Sequence, residues 1–179
     1  MNKIIKIVLA LAIIGLSFYL YKIVRDPILQ QQEWDRIKDK RVARLEKIRE
    51  AQIIYRDLNG EFSDNWDSLI TMIKEDQMPV IRTIGDPHAQ DTMETVISDT
   101  SYVAVRDSFY SGMVNPFPPD SLPYIPEGAG AKWSIEAGQI SRSGITLEVF
   151  RVRDTKPYRS DFTLQVGSMR DANYSGNWK

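Results

Sequence analysis

The chain has 179 residues, 42% of them apolar and 26% charged, with one histidine, no cysteine and a formal net charge of −1. That length suits one compact domain with an appendage. The missing cysteine excludes disulfides, thiolate catalysis, iron–sulfur clusters, cysteine-ligated zinc and a lipidated cysteine, and a lone histidine weakens zinc-hydrolase and Ser–His–Asp chemistry. The small net charge hides an asymmetry, because residues 1–58 hold 12 Lys/Arg against 7 Asp/Glu whereas residues 59–179 hold 11 against 17.

From Ile7 to Tyr21 the sequence IVLALAIIGLSFYLY carries no charge, and extension to Ile4 and Val24 gives 21 residues. In helical form this covers roughly 30 Å, about one hydrocarbon core. Lys6 and Lys22 can snorkel to the two interfaces, where Tyr19 and Tyr21 fit an aromatic belt. Lys3 and Lys6 also suit the basic region of a secretory signal. However, Ala10-Leu-Ala12 lies inside the apolar core, and no small-residue cleavage site precedes Lys22. The expectation is a single-pass anchor over residues 1–25, in contact with the bilayer through residues 4–24.

Lys3 and Lys6 favour an N-terminus on the cytoplasmic side, which in a Gram-negative inner membrane places the remainder in the periplasm. Lys22, Arg25, Arg36, Lys38, Lys40 and Arg41 pull the other way, although a long domain translocates regardless of such charges.

Residues 26–59 read as a charged helical stalk. Pro27 suits the first turn of a new helix or a bend after the membrane. Twelve of the eighteen residues from Glu33 to Glu50 are charged, with i,i+3 pairs such as Glu33/Arg36, Asp35/Lys38 and Lys47/Glu50. Trp34, Ile37, Leu45, Ile48, Ala51, Tyr55 and Leu58 make an apolar stripe, but a heptad frame puts Arg41 and Arg44 in its seam. Two seam arginines argue against an autonomous coiled coil and for a helix whose second half packs on a domain. The basic cluster suits acidic lipid headgroups or a nucleic acid, but its interleaved acids favour a solvated face. No nucleic-acid partner is expected.

Asn59-Gly60 ends the stalk, and residues 60–167 form the expected α+β domain. Ser63 or Asp64 caps a second helix with Trp66, Leu69, Ile70 and Ile73 on one face. Residues Pro79 to Ile84 suit a short strand, and the acidic stretch 86–101 suits a loop or hairpin connection. Tyr102, Val103 and Val105 begin as a strand and turn helical near Asp107. Five of the nine prolines fall in Pro116–Pro126, a rigid irregular connector that could alternatively present a polyproline ligand. Gln139–Arg142 and Ile145–Arg153 flank Ser143-Gly144 as a hairpin, with Val149-Phe150 suggesting a bulge. Phe162–Val166 adds a strand. Residues 168–179 read as a polar tail in which Trp178 stays outside the core.

No residue qualifies as catalytic, cofactor-binding or metal-ligating. Asp86, His88 and Asp91 come nearest to a metal cluster, which keeps a metal-dependent envelope enzyme open as an alternative, but a solvated turn is the better reading. Asp64/Asp67 and Glu75/Asp76 read as helix-end charges, and Gly128-Ala-Gly130 lacks the context of a phosphate loop.

Two resemblances add to this. The helix ending in Tyr55-Arg-Asp-Leu-Asn-Gly60-Glu-Phe62, followed by Trp66-Asp-Ser-Leu69, resembles the hinge of type IV pilins and type II secretion pseudopilins. There a membrane helix continues into a stalk and then a small antiparallel sheet. Here Gly15 is followed by Leu-Ser-Phe-Tyr-Leu, and the span has no glutamate. Ala51-Gln-Ile-Ile-Tyr55, Asp67-Ser-Leu-Ile70, Asp120-Ser-Leu-Pro-Tyr-Ile-Pro126, Ile140–Val152 and Lys156-Pro-Tyr158 are similar to an uncharacterised single-pass envelope protein family of Gram-negative bacteria. That similarity implies the periplasmic topology and no activity. The expected role is therefore non-enzymatic: a domain binding other envelope proteins in a larger assembly, with an oligomer allowed.

Overall fold

A computed structural model describes residues 3–84, 97–142 and 144–178. The chain divides into two compact units, Met1–Lys40 and Arg41–Lys179, with helix α1 (Lys3–Asn59) contributing to both.

In the first unit α1 is apolar and exposed from Ile4 to Val24, long and apolar enough to be a candidate transmembrane helix. Arg25 sits over the Tyr21 ring at 5.7 Å, one turn apart. Pro27 lies inside the helix and starts no new one. Lacking an N–H, it leaves one rung of the helical ladder open. Arg36 holds Glu33 at 2.6 Å, as the i,i+3 spacing requires, whereas Asp35 accepts from Gln31 at 3.0 Å.

The second unit is α+β. Residues 41–59 of α1 carry Leu45, Ile48, Ala51 and Ile54 into its core, with Tyr55 and Leu58 half-buried beside them. Full burial of a Leu or Ile side chain stabilises by about 1.5–3 kcal/mol, so this helix is a structural wall of the domain. It ends as the sequence indicates: Gly60 adopts φ +84° and donates its N–H to the Arg56 carbonyl at 2.7 Å.

The following turn is held by an amide clamp. Gln52, fully buried, donates Nε2–H to the Ser63 carbonyl at 2.7 Å and accepts the Ser63 N–H on Oε1 at 3.0 Å. Asn65, and neither Ser63 nor Asp64, caps α2 (Trp66–Glu75), accepting the Asp67 N–H at 2.9 Å. Leu69, Met72 and Ile73 of α2 are buried.

Strands β1 (Gln77–Ile84) and β2 (Ile97–Ala104) pair antiparallel from Gln77↔Ala104 to Ile84↔Ile97. β2 thus takes in residues 97–101, which the sequence suggests as connection. Its polar residues Thr100 and Ser101 are exposed, since a two-stranded ribbon shields few side chains.

A three-stranded antiparallel sheet has the order β3 (Ser134–Arg142), β4 (Ile145–Arg153), β5 (Gln165–Gly167). Arg142↔Ile145 closes the first hairpin, with Gly144 at φ +79° in its turn. No bulge forms at Val149-Phe150: Gly138↔Val149 and Ala137↔Phe150 continue an unbroken register. Both residues are buried because both faces of β4 are covered. Phe150 meets Phe62 and stacks on Tyr174, with centroids at 4.7 and 5.7 Å. On the other face, Met169 Cε lies within 3.4 Å of where a Gly138 side chain would start.

The C-terminal segment is therefore part of the domain. Tyr174 and Trp178 stay outside the buried core, as expected for Trp178, but pack partly buried against it. Asn177 ties the segment down, its N–H donating to the Gln165 carbonyl at 3.1 Å and its Nδ2–H to the Thr163 carbonyl at 2.8 Å. Polar composition misleads here because the two aromatic rings do the packing.

Candidate functional site

The arginines that break the apolar seam of α1 are the residues that fix the helix to the domain. Arg41 donates Nη1–H to Asp154 at 2.7 Å and to the Lys156 carbonyl at 3.0 Å, and Nε–H to the Pro126 carbonyl at 3.2 Å. Asp154 also accepts the Lys156 N–H at 2.8 Å, so its carboxylate has two donors in a buried setting. One turn on, Arg44 donates to the Ser121 carbonyl at 2.7 Å and lays its guanidinium 3.7 Å from the centre of the Phe117 ring. Lys47 donates to the Phe109 carbonyl at 2.8 Å and pairs with Glu50 at 2.7 Å. Arg41, Arg44 and Lys47 are thus anchors, whereas Asp35, Arg36, Asp39, Lys40 and Glu46 form the exposed, solvated face.

Those anchors organise a groove. Helix α3 (Val105–Phe109) buries Val105 and Phe109 at i,i+4, which turns Arg106 and Asp107 outward, and Tyr110 follows as its half-buried C-cap. Its start is fixed by the Val105 N–H donating to the Asp76 carbonyl at 3.0 Å. Opposite lies Pro116–Pro119, running into a single 3₁₀ turn at Pro119–Ser121. Three prolines fix φ along this wall, and Lys74 clamps its end through Asp120 at 2.7 Å. Between the walls is an open groove of about 530 Å³, lined by Arg106, Asp107, Tyr110 and Pro116–Pro119. That volume falls in the roughly 300–1,000 Å³ range of ligand sites.

The ring of Phe117 is held edge-on by Phe109 at 6.3 Å and Tyr110 at 5.8 Å, with Arg44 over its face. Burial pulls the Arg44 pKa below its ordinary value, opposed by the Tyr110 phenol. Burial likewise raises the Tyr110 pKa, against the pull of Arg106 and Arg44. The Tyr110 hydroxyl is shielded from solvent and has no hydrogen-bond partner among the described residues. The groove offers apolar and aromatic walls with one exposed cation, Arg106, at its lip. Such an arrangement suits binding.

A second groove of about 390 Å³ is lined by Glu61, Phe62, Asp64, Ala137, Gly138, Gln139 and Glu148, with Gln139 donating to Glu148 at 2.6 Å. The Asp86/His88/Asp91 constellation lies outside the described residues, and among the described residues no group of three His, Asp or Glu is placed to hold a metal. Asp67 occupies the first turn of α2 and Asp76 its C-cap, while Gly128-Ala-Gly130 closes a turn through the Ala131 N–H on the Gly128 carbonyl at 3.2 Å.

The proline run is plain in the sequence, whereas its pairing with Tyr110 and Arg106 is not. The available signal was the i,i+3 arginine pair Arg41/Arg44 on an otherwise apolar stripe, which marks a helix face that meets carbonyls and a carboxylate. The sequence matches no family model, and no curated protein or solved structure is significantly similar to it.

Proposed function

We propose that the chain is a single-pass, membrane-anchored envelope protein of the Gram-negative inner membrane, held in the bilayer through residues 4–24. Its α+β domain lies on the periplasmic side and binds other envelope proteins as part of a larger assembly. The observation that carries this reading is the double use of one helix. α1 is exposed and apolar from Ile4 to Val24, yet supplies Leu45, Ile48, Ala51 and Ile54 to the core of the domain. An element that is lipid-facing along one stretch and core-forming along another tethers a folded domain to a bilayer. The preformed groove gives that domain a recognition surface.

The test has two stages. Alkaline phosphatase fused after the C-terminus is expected to be active, and the protein to stay in the pellet on alkaline carbonate extraction. Crosslinking in cells is then expected to give discrete higher-mass adducts. An inactive fusion refutes the orientation, release by carbonate refutes the anchor, and a protein found only as an isolated monomer refutes the assembly role.

A second reading, a pilin- or pseudopilin-like subunit, is favoured by the continuity of α1 from Lys3 to Asn59 and its second half packing with an antiparallel sheet. It requires prepilin-peptidase processing, so mass spectrometry of the membrane-extracted protein decides it: an intact Met1 end removes this reading.

A further inference from the structure

The three-stranded sheet is closed along one edge and open along the other. On the β5 side the C-terminal segment covers it: Gly167 donates its N–H to the Ser175 carbonyl and Asn177 its N–H to the Gln165 carbonyl, both at 3.1 Å. On the β3 side residues 123–125 cover only the approach. The Trp133 N–H meets the Pro123 carbonyl at 2.9 Å, and Tyr124 bridges to Lys132. From Ser134 to Arg142, no described residue hydrogen-bonds to the outer side of the β3 backbone. The strand is nine residues long and lacks the proline, lysine or bulge that commonly blunts an edge.

The second groove runs along this edge. Ala137, Gly138 and Gln139 all line it, and consecutive strand residues point to opposite faces, so β3 meets the groove along its backbone. The charged lining has one sign: Glu61, Asp64 and Glu148, none ion-paired among the described residues. The acidity of the domain alone does not account for this, because Asp120, Glu136, Asp154, Asp161 and Asp171 each hold a lysine or arginine.

We propose that the open edge of β3 accepts a basic, extended segment of a partner protein as an added strand. Main-chain hydrogen bonds hold it, and lysine or arginine occupies the alternate positions that face Glu61, Asp64 and Glu148. Strand addition takes its affinity from the main chain and its specificity from alternate side chains. A second copy of this chain fits poorly. The one basic residue of β3, Arg142, is already bound to Asp171, and edge-to-edge pairing would bring the carboxylates of both copies together. This inference rests on the protein-binding reading of the domain and names the chemistry of its partner.

The experiment uses the full chain in detergent micelles, probed with a randomised octapeptide library. Selected peptides are expected to carry Lys or Arg at alternate positions. A selected peptide is expected to bind about tenfold more tightly than its Lys→Gln counterpart. An added strand pairs through one side only, so N-methylation of one alternate set of its amides abolishes binding and of the other set does not. The double variant Glu61→Gln/Asp64→Asn removes the preference for basic residues, and it folds because both side chains are exposed. Selection without basic alternation, equal affinity of the Lys and Gln peptides, or equal effects of the two methylated sets each overturns the proposal. Unchanged selectivity of the double variant does the same. Self-association of the chain that excludes every peptide gives the edge to a second copy and also overturns it. Crosslinked partners that persist undiminished in cells carrying the double variant leave the domain-level reading standing and remove only the edge assignment.

Discussion

Arg41 and Asp154 meet at 2.7 Å with 3% and 1% of their side-chain surface exposed, joining α1 to the segment that follows β4. Removal of one partner leaves the other charged, buried and uncompensated. Asp154→Ala is expected to destabilise the domain by about 3–5 kcal/mol, read as a lower urea midpoint of the full chain in detergent. The double replacement Arg41→Met/Asp154→Leu is expected to recover most of that loss. A double variant no more stable than Asp154→Ala would show that the remaining bonds of Arg41, to Pro126 and Lys156, dominate.

The Gln52 clamp makes a second prediction. Gln52→Ala strips a partner from both the N–H and the carbonyl of Ser63 in a buried turn, for a loss of about 2–3 kcal/mol. Hydrogen exchange is expected to accelerate at the Ser63 amide before the sheet amides follow.

Gly167 sits at φ +77°, and a Cβ there would overlap the Phe150 carbonyl oxygen. Gly167→Ala must therefore move β5 away from β4 as well as strain the backbone, with an expected cost of at least about 2 kcal/mol. Gly144→Ala, in open space at φ +79°, is expected to cost only about 1 kcal/mol. Comparative limited proteolysis of the two variants reads the difference directly.

Tyr110 carries a hydroxyl with no hydrogen-bond partner among the described residues, so Tyr110→Phe is expected to leave stability unchanged or raise it by about 1 kcal/mol. Its pKa stands above 10.0 in the fold, chiefly through burial and secondarily through Asp120, against the pull of Arg106 and Arg44. The sign follows from linkage. Above pH 10.0 the unfolded phenol loses its proton before the folded one does, so stability is full below that pH and falls as pH rises through the folded value. Thermal melts between pH 9 and 11 are expected to show a shallower decline for Tyr110→Phe than for the wild type.

The features readable in the sequence are those that local chemistry decides. Asn59-Gly60 ends α1 because only the cap geometry matters there, and Ser143-Gly144 separates β3 from β4 because the flanking apolar residues share one register. The α+β class follows from those two signals and the amphipathic α2. What escaped depends on distant partners. Arg41 reads as a seam breaker until Asp154 arrives from 113 positions away. Val149-Phe150 reads as a bulge unless Tyr174 and Met169 are known to cover opposite faces of the sheet. The groove is hidden in the same way: Pro116–Pro119 is plainly rigid in sequence, but only tertiary packing sets it across from Tyr110 and Arg106.

The separation of Arg41 from Asp154 also imposes an order on biogenesis. Leu45, Ile48 and Ala51 leave the ribosome long before the strands that cover them. At roughly 5–20 residues per second, Arg41 waits on the order of 6–23 s for its carboxylate. Throughout that interval the nascent helix presents a bare apolar ridge. Tyr174 and Trp178, which pack against the same core, emerge later still. Synthesis stalled short of that point leaves a half-covered helix whose apolar ridge is open to aggregation.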